Sequence, residues 1–296
     1  MSFQYTKAVR KDTSLLIALA GASGSGKTYS AMELAAGICG DEPFKVIDTE
    51  ASRALHYADS YNFEHEDMHP PFTPESYTKV VKEAEGRGFK AIVVDSMSHE
   101  FDGEGGIMDM ADASNVKGPG AWLIPKQRHK KMMNKFLQCR THLIFCLRAD
   151  EKIDMSQRDD RGKIIVTSQG WVPIQEKRFM FEMTASLTMN PLAPGIVDLS
   201  LPNKVQDQHR MAFLPGEHIN RAAGEALAAW ARGDEIEVPD KELWDKARKI
   251  AHEGMEQLKI YYNNVLSDED KLKLKPIGKE LNATAKRADL NRGEID

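Results

Sequence analysis

Cysteine, aromatic side chains and long apolar runs are all scarce in this chain of 296 residues. Its 3 cysteines, Cys39, Cys139 and Cys146, lie in apolar or helical runs and lack CxxC spacing. That argues against a disulfide framework or a zinc site and points to a reduced, cytoplasmic protein. No segment approaches the ~20 apolar residues of a membrane span. The opening MSFQYTKAVRKDTS has no signal-peptide core either. Internal repeats and low-complexity tracts are also missing. A net charge of −5 argues against coating nucleic acid by bulk charge, although it leaves room for a local basic surface. Asp and Glu are absent from residues 113–149, which nevertheless carry eight basic residues: Lys117, Lys126, Arg128, Lys130, Lys131, Lys135, Arg140 and Arg148.

Short apolar runs alternate with helix-like segments over the first half. LLIALA (15–20), FKVIDTE (44–50), FKAIVVDS (89–96) and THLIFCLR (141–148) read as strands buried on both faces. Helices are expected from Tyr29 to Ile38, over 73–88 behind a Thr-Pro entry, and after Pro125. This alternation implies a mostly parallel α/β sheet. The polar stretch 149–170 reads as a long loop or hairpin. FMFEMTASLTMN (179–190), GIVDLSLP (195–202) and RMAFLP (210–215) read as short strands extending the sheet in antiparallel fashion. The domain reading is a lead-in over 1–12, a core over 13–216 and a C-terminal helical region over 217–296. Within that last region Leu243, Ala247, Ile250, Ala251, Leu258 and Tyr261 share one helical face, and SDED (267–270) opens a further helix.

Residues 21–28, GASGSGKT, fill the pattern GxxxxGK[ST] between a predicted strand and a predicted helix. Glycines let such a turn close so that backbone N–H groups face phosphate oxygens, with the positive end of the helix behind them. Gly21, Ala22, Ser23, Gly24, Ser25 and Gly26 would form the cradle and Tyr29 would flank it. Lys27 would reach the β- and γ-phosphates, and Thr28 would ligate Mg²⁺. Asp95 ends the strand AIVV, where a parallel sheet delivers a carboxylate to its crevice, and suits a hold on the same Mg²⁺. Glu50, at the end of VIDTE, is the first candidate to position water. Glu100 and Glu104 compete with it. His65 and His69 have the spacing of a ligand pair but no third partner, and read as surface residues. The Met-rich stretches read as core or interface packing.

In this order the P-loop, VIDTEASRALHYA, IVVDS and LIFCLR resemble a RecA-type ATPase core. The resemblance implies ATP and Mg²⁺ as cofactors, Glu50 activating water, Tyr57 near the adenine and Asp95 on the metal. Arg148 takes the place of a γ-phosphate sensor, where RecA itself has glutamine. LPNKVQ, with Asn203 and Lys204, is similar to the lysine finger that reaches a neighbour's nucleotide, with Arg210 as its rival. The implied fold is a RecA-like P-loop NTPase core, mostly parallel and extended by antiparallel strands, with a C-terminal helical tail. More narrowly, the shortened core and PGEHINRAAGEALAAWARG look like phage-encoded AAA-domain or RecA-core ATPases, some of which anneal single strands beside a single-strand DNA-binding protein.

The acid-free basic run includes NVKGPGAW (115–122), where RecA-type cores place a first DNA loop. The second would be 149–170, with Lys152, Arg158, Arg161 and Lys163, diluted by five acids. Trp122 and Trp171 are candidates for stacking on unpaired bases. The function expected is a Mg²⁺-dependent ATPase acting on single-stranded DNA in phage recombination or replication, in the host cytoplasm. It would form a homo-oligomer with nucleotide between subunits. The alternatives are an ATP-gated DNA-binding or partner-loading module with little hydrolysis, a hexameric helicase-like ring and, more remotely, a small-molecule kinase.

Overall fold

The computed structural model describes residues 5, 7–158, 164–234, 241–274 and 277–292. In chain order, β1 (Leu16–Gly21) passes through the glycine turn into α1 (Lys27–Cys39), followed by β2 (Phe44–Asp48), β3 (Phe63–Asp67), α2 (Pro74–Gly86) and β4 (Ala91–Asp95). Two short helices, α3 (His99–Asp102) and α4 (Ile107–Asp112), precede α5 (Leu123–Leu137) and the paired strands β5 (His142–Arg158) and β6 (Ile164–Pro173). After these come α6 (Phe179–Glu182), β7 (Ala185–Met189), β8 (Asn203–Lys204) and α7 (Arg221–Arg232). The chain closes with α8 (Lys241–Ala251), α9 (Met255–Asn264), α10 (Asp268–Leu274) and α11 (Gly278–Arg292).

The sheet runs in the order β3-β2-β4-β5-β1-β7-β8, and β6 pairs with β5 off that path. Pairing is parallel from β3 across to β7, and antiparallel only where β8 and β6 join. The fold is therefore an α/β P-loop architecture with a mostly parallel sheet. Its apolar strands follow from burial on both faces. On β1, Ile17 and Leu19 pack into the layer holding α1 and α7, while Leu16, Ala18 and Ala20 pack into the layer holding α2, α5 and Phe179. Pro74 opens α2 behind Thr73, whose hydroxyl accepts from the Ser76 amide at 3.1 Å.

Four departures from the sequence reading have physical causes. FEHED forms an edge strand, β3, although its alternating polar pattern carries no apolar run. FMFEMTASLTMN is not one strand: Phe179–Glu182 is helical and only Ala185–Met189 joins the sheet, where it lies parallel to β1. GIVDLSLP contributes only an isolated bridge at Ile196, because Asp198 accepts from the Ser200 amide and turns the chain. RMAFLP is no strand either. It falls in and after a 3-10 turn over Asp207–Ala212, with fully buried Phe213 as an anchor. Of the segment 149–170, the described residues 149–158 and 164–170 belong to the antiparallel pair β5–β6, bulged between Lys152 and Ile153 and between Asp154 and Gln157.

The tail has its own core, formed around Trp244, Ala247, Leu258, Tyr261, Leu274 and Leu281. Its long apolar face is split at Gly254, whose φ of 102° ends one helix and starts the next. Asp289 occupies the space a Cβ would need there and accepts from the Met255 amide at 3.0 Å. Arg210, the rival finger, is tied to Glu280 of α11 and to Asp207, and Arg248 also reaches Glu280, at 3.1 Å. These ion pairs join the turn after β8 to the tail. Among the described residues, no helix is long and apolar enough to cross a membrane.

α7 lies against α1 through glycines. A Cβ at Gly37 would come within 2.0 Å of the Arg221 carbonyl, and one at Gly224 within 2.2 Å of the Leu34 carbonyl. Gly224→Ala is therefore expected to destabilise the protein by about 1–3 kcal/mol through overpacking. Urea unfolding should show a lower midpoint at unchanged slope. An unchanged midpoint would mean that the two helices part freely.

Candidate nucleotide site

The parallel register brings the polar strand ends into one row. Gly21 is paired with Arg148, Asp48 with Asp95, and Asp95 with Cys146. Inward of that row, residues 16–20 of β1, 91–94 of β4 and 143–147 of β5 are apolar and buried, so on these strands charged groups are accommodated at the carboxyl edge. A cleft of about 870 Å³ opens there, lined by the glycine turn together with Lys27, Thr28, Glu50, Tyr57, Asp95 and Arg148.

The turn is shaped by glycine where glycine is required. Gly26 has φ 86°, and a Cβ on it would meet the Gly195 amide nitrogen at 2.5 Å. A Cβ on Gly21 would meet Met189 O at 2.8 Å, so neighbouring backbone presses on the loop from the β7 side. The Gly195 amide in turn donates to Ser25 O at 3.0 Å, which fixes the loop from outside. Ser23 and Gly24 lie at the open surface, and Gly24 has φ 78°. Lys27, at the first turn of α1, folds its ammonium back onto Ala22 O at 2.8 Å.

Thr28 Oγ1 donates to Asp95 Oδ2 at 2.5 Å and so ties α1 to the end of β4. Burial pushes the Asp95 carboxyl up to about 6. The Thr28 hydrogen bond opposes this, Glu50 adds to it and Lys27 lowers it. A hydroxyl and a carboxylate side by side are oxygen donors that suit a hard divalent cation such as Mg²⁺, and these two residues would hold it. Among the described residues, no group of three or more His, Cys, Asp or Glu forms a separate metal cluster.

Glu50 is half-buried at the cleft and pairs with Arg53 at 3.0 Å. Its position is set by Asp48, a residue the sequence reading passed over. Asp48 accepts from the Glu50 amide at 2.6 Å, from the Ala54 amide at 2.8 Å and from His65 Nε2 at 3.3 Å. Between those anchors Ala51 and Ser52 adopt φ 58° and 63°, a tight turn that few side chains tolerate unaided. The available signal was an acid closing an apolar strand, as at Asp95. His65 is thus a half-buried partner of Asp48 rather than a surface residue, while His69 remains exposed beside Asp67.

Of the competitors for Glu50, Glu100 is fully buried against His129 at 3.1 Å and is held above the usual carboxylate range by desolvation. Neither Glu100 nor Glu104 lines the cleft. Arg148 does, yet its guanidinium is engaged, since Nη2 donates to both carboxylate oxygens of Asp102 at 2.6 Å. Arg148 Nε is buried without a partner. Tyr29 and Tyr57 flank the opening and meet Tyr61 edge-on, with centroids 6.4 and 6.2 Å apart. Trp171 also lines the cleft, whereas Lys204 does not and donates instead to Phe181 O at 2.7 Å.

The basic run is distributed rather than continuous. Lys117, Lys126, Lys130 and Lys131 are exposed on and before α5, but Arg128 is locked in a bidentate pair with Glu75 of α2. Lys152 and Arg158 lie on β5, and Arg161 and Lys163 fall outside the described residues. Trp122 is half-buried, its ring stacked on Phe101 with centroids 6.5 Å apart.

Residues 13–192 match a family model described as an AAA domain, more than half of the chain. No curated protein matches it.

An acid whose pKa is higher in the fold than in the open chain favours the fold at low pH and loses that contribution as pH rises. For Asp95 the window runs from about 4 to about 6. Relative to Asp95→Asn in metal-free buffer, wild type should lose about 2–3 kcal/mol of unfolding free energy across that window and stay level above it. Parallel urea titrations at pH 4, 5, 6 and 7 measure this, and equal curves for both proteins would show that Asp95 is well solvated.

Proposed function

As a chain that belongs to the AAA-domain family, this protein carries a nucleotide-binding P-loop ATPase domain, and we propose that it is a Mg²⁺-dependent ATPase acting on single-stranded DNA in phage recombination or replication. The observation that carries this reading is the convergence of Lys27, Thr28, Glu50, Asp95 and Arg148 on one cleft at the carboxyl edge of the sheet. The glycine turn and the start of α1 bind the phosphates through backbone N–H groups. Lys27 leaves the Ala22 carbonyl for the phosphate charge. Thr28 and Asp95 would hold Mg²⁺, which would supply neutralisation of charge on the phosphate oxygens. Glu50, fixed by Asp48, orients a water molecule in line with the terminal phosphoryl group and takes up its proton. Arg148 stabilises the developing charge. The tyrosines at the rim support an adenine between Tyr29 and Tyr57.

Support for the DNA partner comes from the acid-free basic run and from Trp122 and Lys126 on its course. Phosphate contacts of this kind are sequence-independent and salt-sensitive. In the assembled form Lys204 would reach a neighbouring subunit's nucleotide, and a single-strand DNA-binding protein would be a further partner.

A second reading, an ATP-gated DNA-binding module with little hydrolysis, draws on the ion pairs that occupy Glu50 and Arg148. The two readings diverge in one experiment. ATP turnover is measured with and without single-stranded DNA for wild type, Lys27→Ala and Glu50→Gln. The ATPase reading expects stimulation by DNA, loss of nucleotide binding in Lys27→Ala, and a fall of roughly 10²-fold or more in Glu50→Gln with binding retained. Turnover indifferent to DNA, with none retained on filters at low salt, would exclude a DNA-directed ATPase.

A further inference from the structure

A second cavity, of about 590 Å³, lies beside the nucleotide cleft. Phe101 and Trp122 form one wall, Val172 and Met180 lie among the other lining residues, and Lys126 and Lys152 also line it. Asp150 and Ile174 line both cavities, so the two are separated by a single layer of chain. The volume falls within the range of small-ligand sites. A flat aromatic wall with ammonium groups beside it matches a planar heterocycle attached to phosphate. Of the two acids at this cavity, Glu176 is already engaged in capping the Arg178 amide at 2.7 Å, and Asp150 belongs to the shared layer.

The same layer contains an unusual connection. Arg148 lines the nucleotide cleft, but its guanidinium is bound by Asp102, the last residue of α3. The adjacent residue, Phe101, forms the wall of the second cavity and stacks on Trp122. His99, at the start of α3, contacts Thr49 Oγ1 at 2.7 Å, one residue before Glu50. One short helix therefore touches the sensor arginine, the loop of the candidate water-positioning carboxylate, and the aromatic wall. The Arg148 Nε that lacks a partner is a donor left over by the Asp102 pairing.

Resting on the DNA reading above, we propose that the second cavity receives an unpaired base of single-stranded nucleic acid, stacked at Trp122, and that the Arg148–Asp102 pair couples its occupancy to the terminal phosphate in the cleft. A terminal phosphate competes with Asp102 for the guanidinium. Once Arg148 turns toward it, the Asp102 end of α3 is released while Glu100 stays buried against His129, Phe101 eases away from Trp122, and the indole face becomes available to a base. The base in turn favours the released position of α3 and so tightens nucleotide binding, since coupling between two ligands is reciprocal.

The test uses the full chain and a labelled single-stranded oligothymidylate, with affinity read by anisotropy and base contact by tryptophan fluorescence. Wild type should bind the oligonucleotide about fivefold or more tightly with a slowly hydrolysed ATP analogue than with ADP. Binding should quench fluorescence, and Trp122→Phe should remove that quench while retaining most of the affinity. Trp122→Ala should weaken binding roughly 5- to 150-fold, the effect of one lost base stack. Asp102→Asn should bring the ratio between the two nucleotides to about one. A quench that persists in Trp122→Phe would overturn the base site while leaving DNA binding intact. A nucleotide ratio unchanged in Asp102→Asn would overturn the coupling. An oligonucleotide that fails to bind in any nucleotide state at low salt would remove the DNA reading itself.

Discussion

One buried contact organises the nucleotide site: the Thr28 hydroxyl held on the Asp95 carboxylate. It joins the helix that follows β1 to the end of β4, two strands apart in the sheet. Because β1 and β4 are apolar up to their ends, this polar bond is made at the carboxyl edge. Desolvation raises the cost of ionising Asp95, and the hydrogen bond from Thr28 offsets part of it. The site is therefore assembled under electrostatic tension that a divalent cation would relieve. Asp48 does the corresponding work one strand over, where it spends its acceptors on the backbone of the turn beyond Glu50.

Much of this was legible in the sequence because its signals are local. An apolar run, a glycine turn with Lys27 and Thr28, and acids closing two further runs suffice to place Glu50 and Asp95 on the same edge as the turn. What escaped depends on partners distant in the chain. Nothing near Arg148 announces Asp102, and nothing near Glu100 announces that His129 will bury it. Likewise Arg210 finds Glu280 across 70 positions, so a candidate finger becomes a fastening for the tail. Polarity misled in the opposite direction at FEHED, a strand whose inner face needs little apolar area at the sheet edge.

The late segment of the core was the hardest to read. Short apolar runs such as RMAFLP are compatible with a strand or with a single buried anchor, and periodicity over so few residues does not separate them. In the fold Phe213 supplies the anchor and the backbone turns around it. The tail shows the converse. Its apolar face is visible in the sequence, but the break at Gly254 depends on Asp289, whose carboxylate fills the volume that any side chain at 254 would need.

The length of β5 has a mechanical consequence. The strand runs 17 residues without interruption, from the middle of the sheet at His142, past Arg148, and on to Arg158. Ten residues of extended chain beyond Arg148 span about 33 Å, so a tilt of about 5° at the cleft would sweep the Arg158 end through about 3 Å. The two bulges along that length set where the lever bends, and hence how much of a small angular change at the phosphates is transmitted outward.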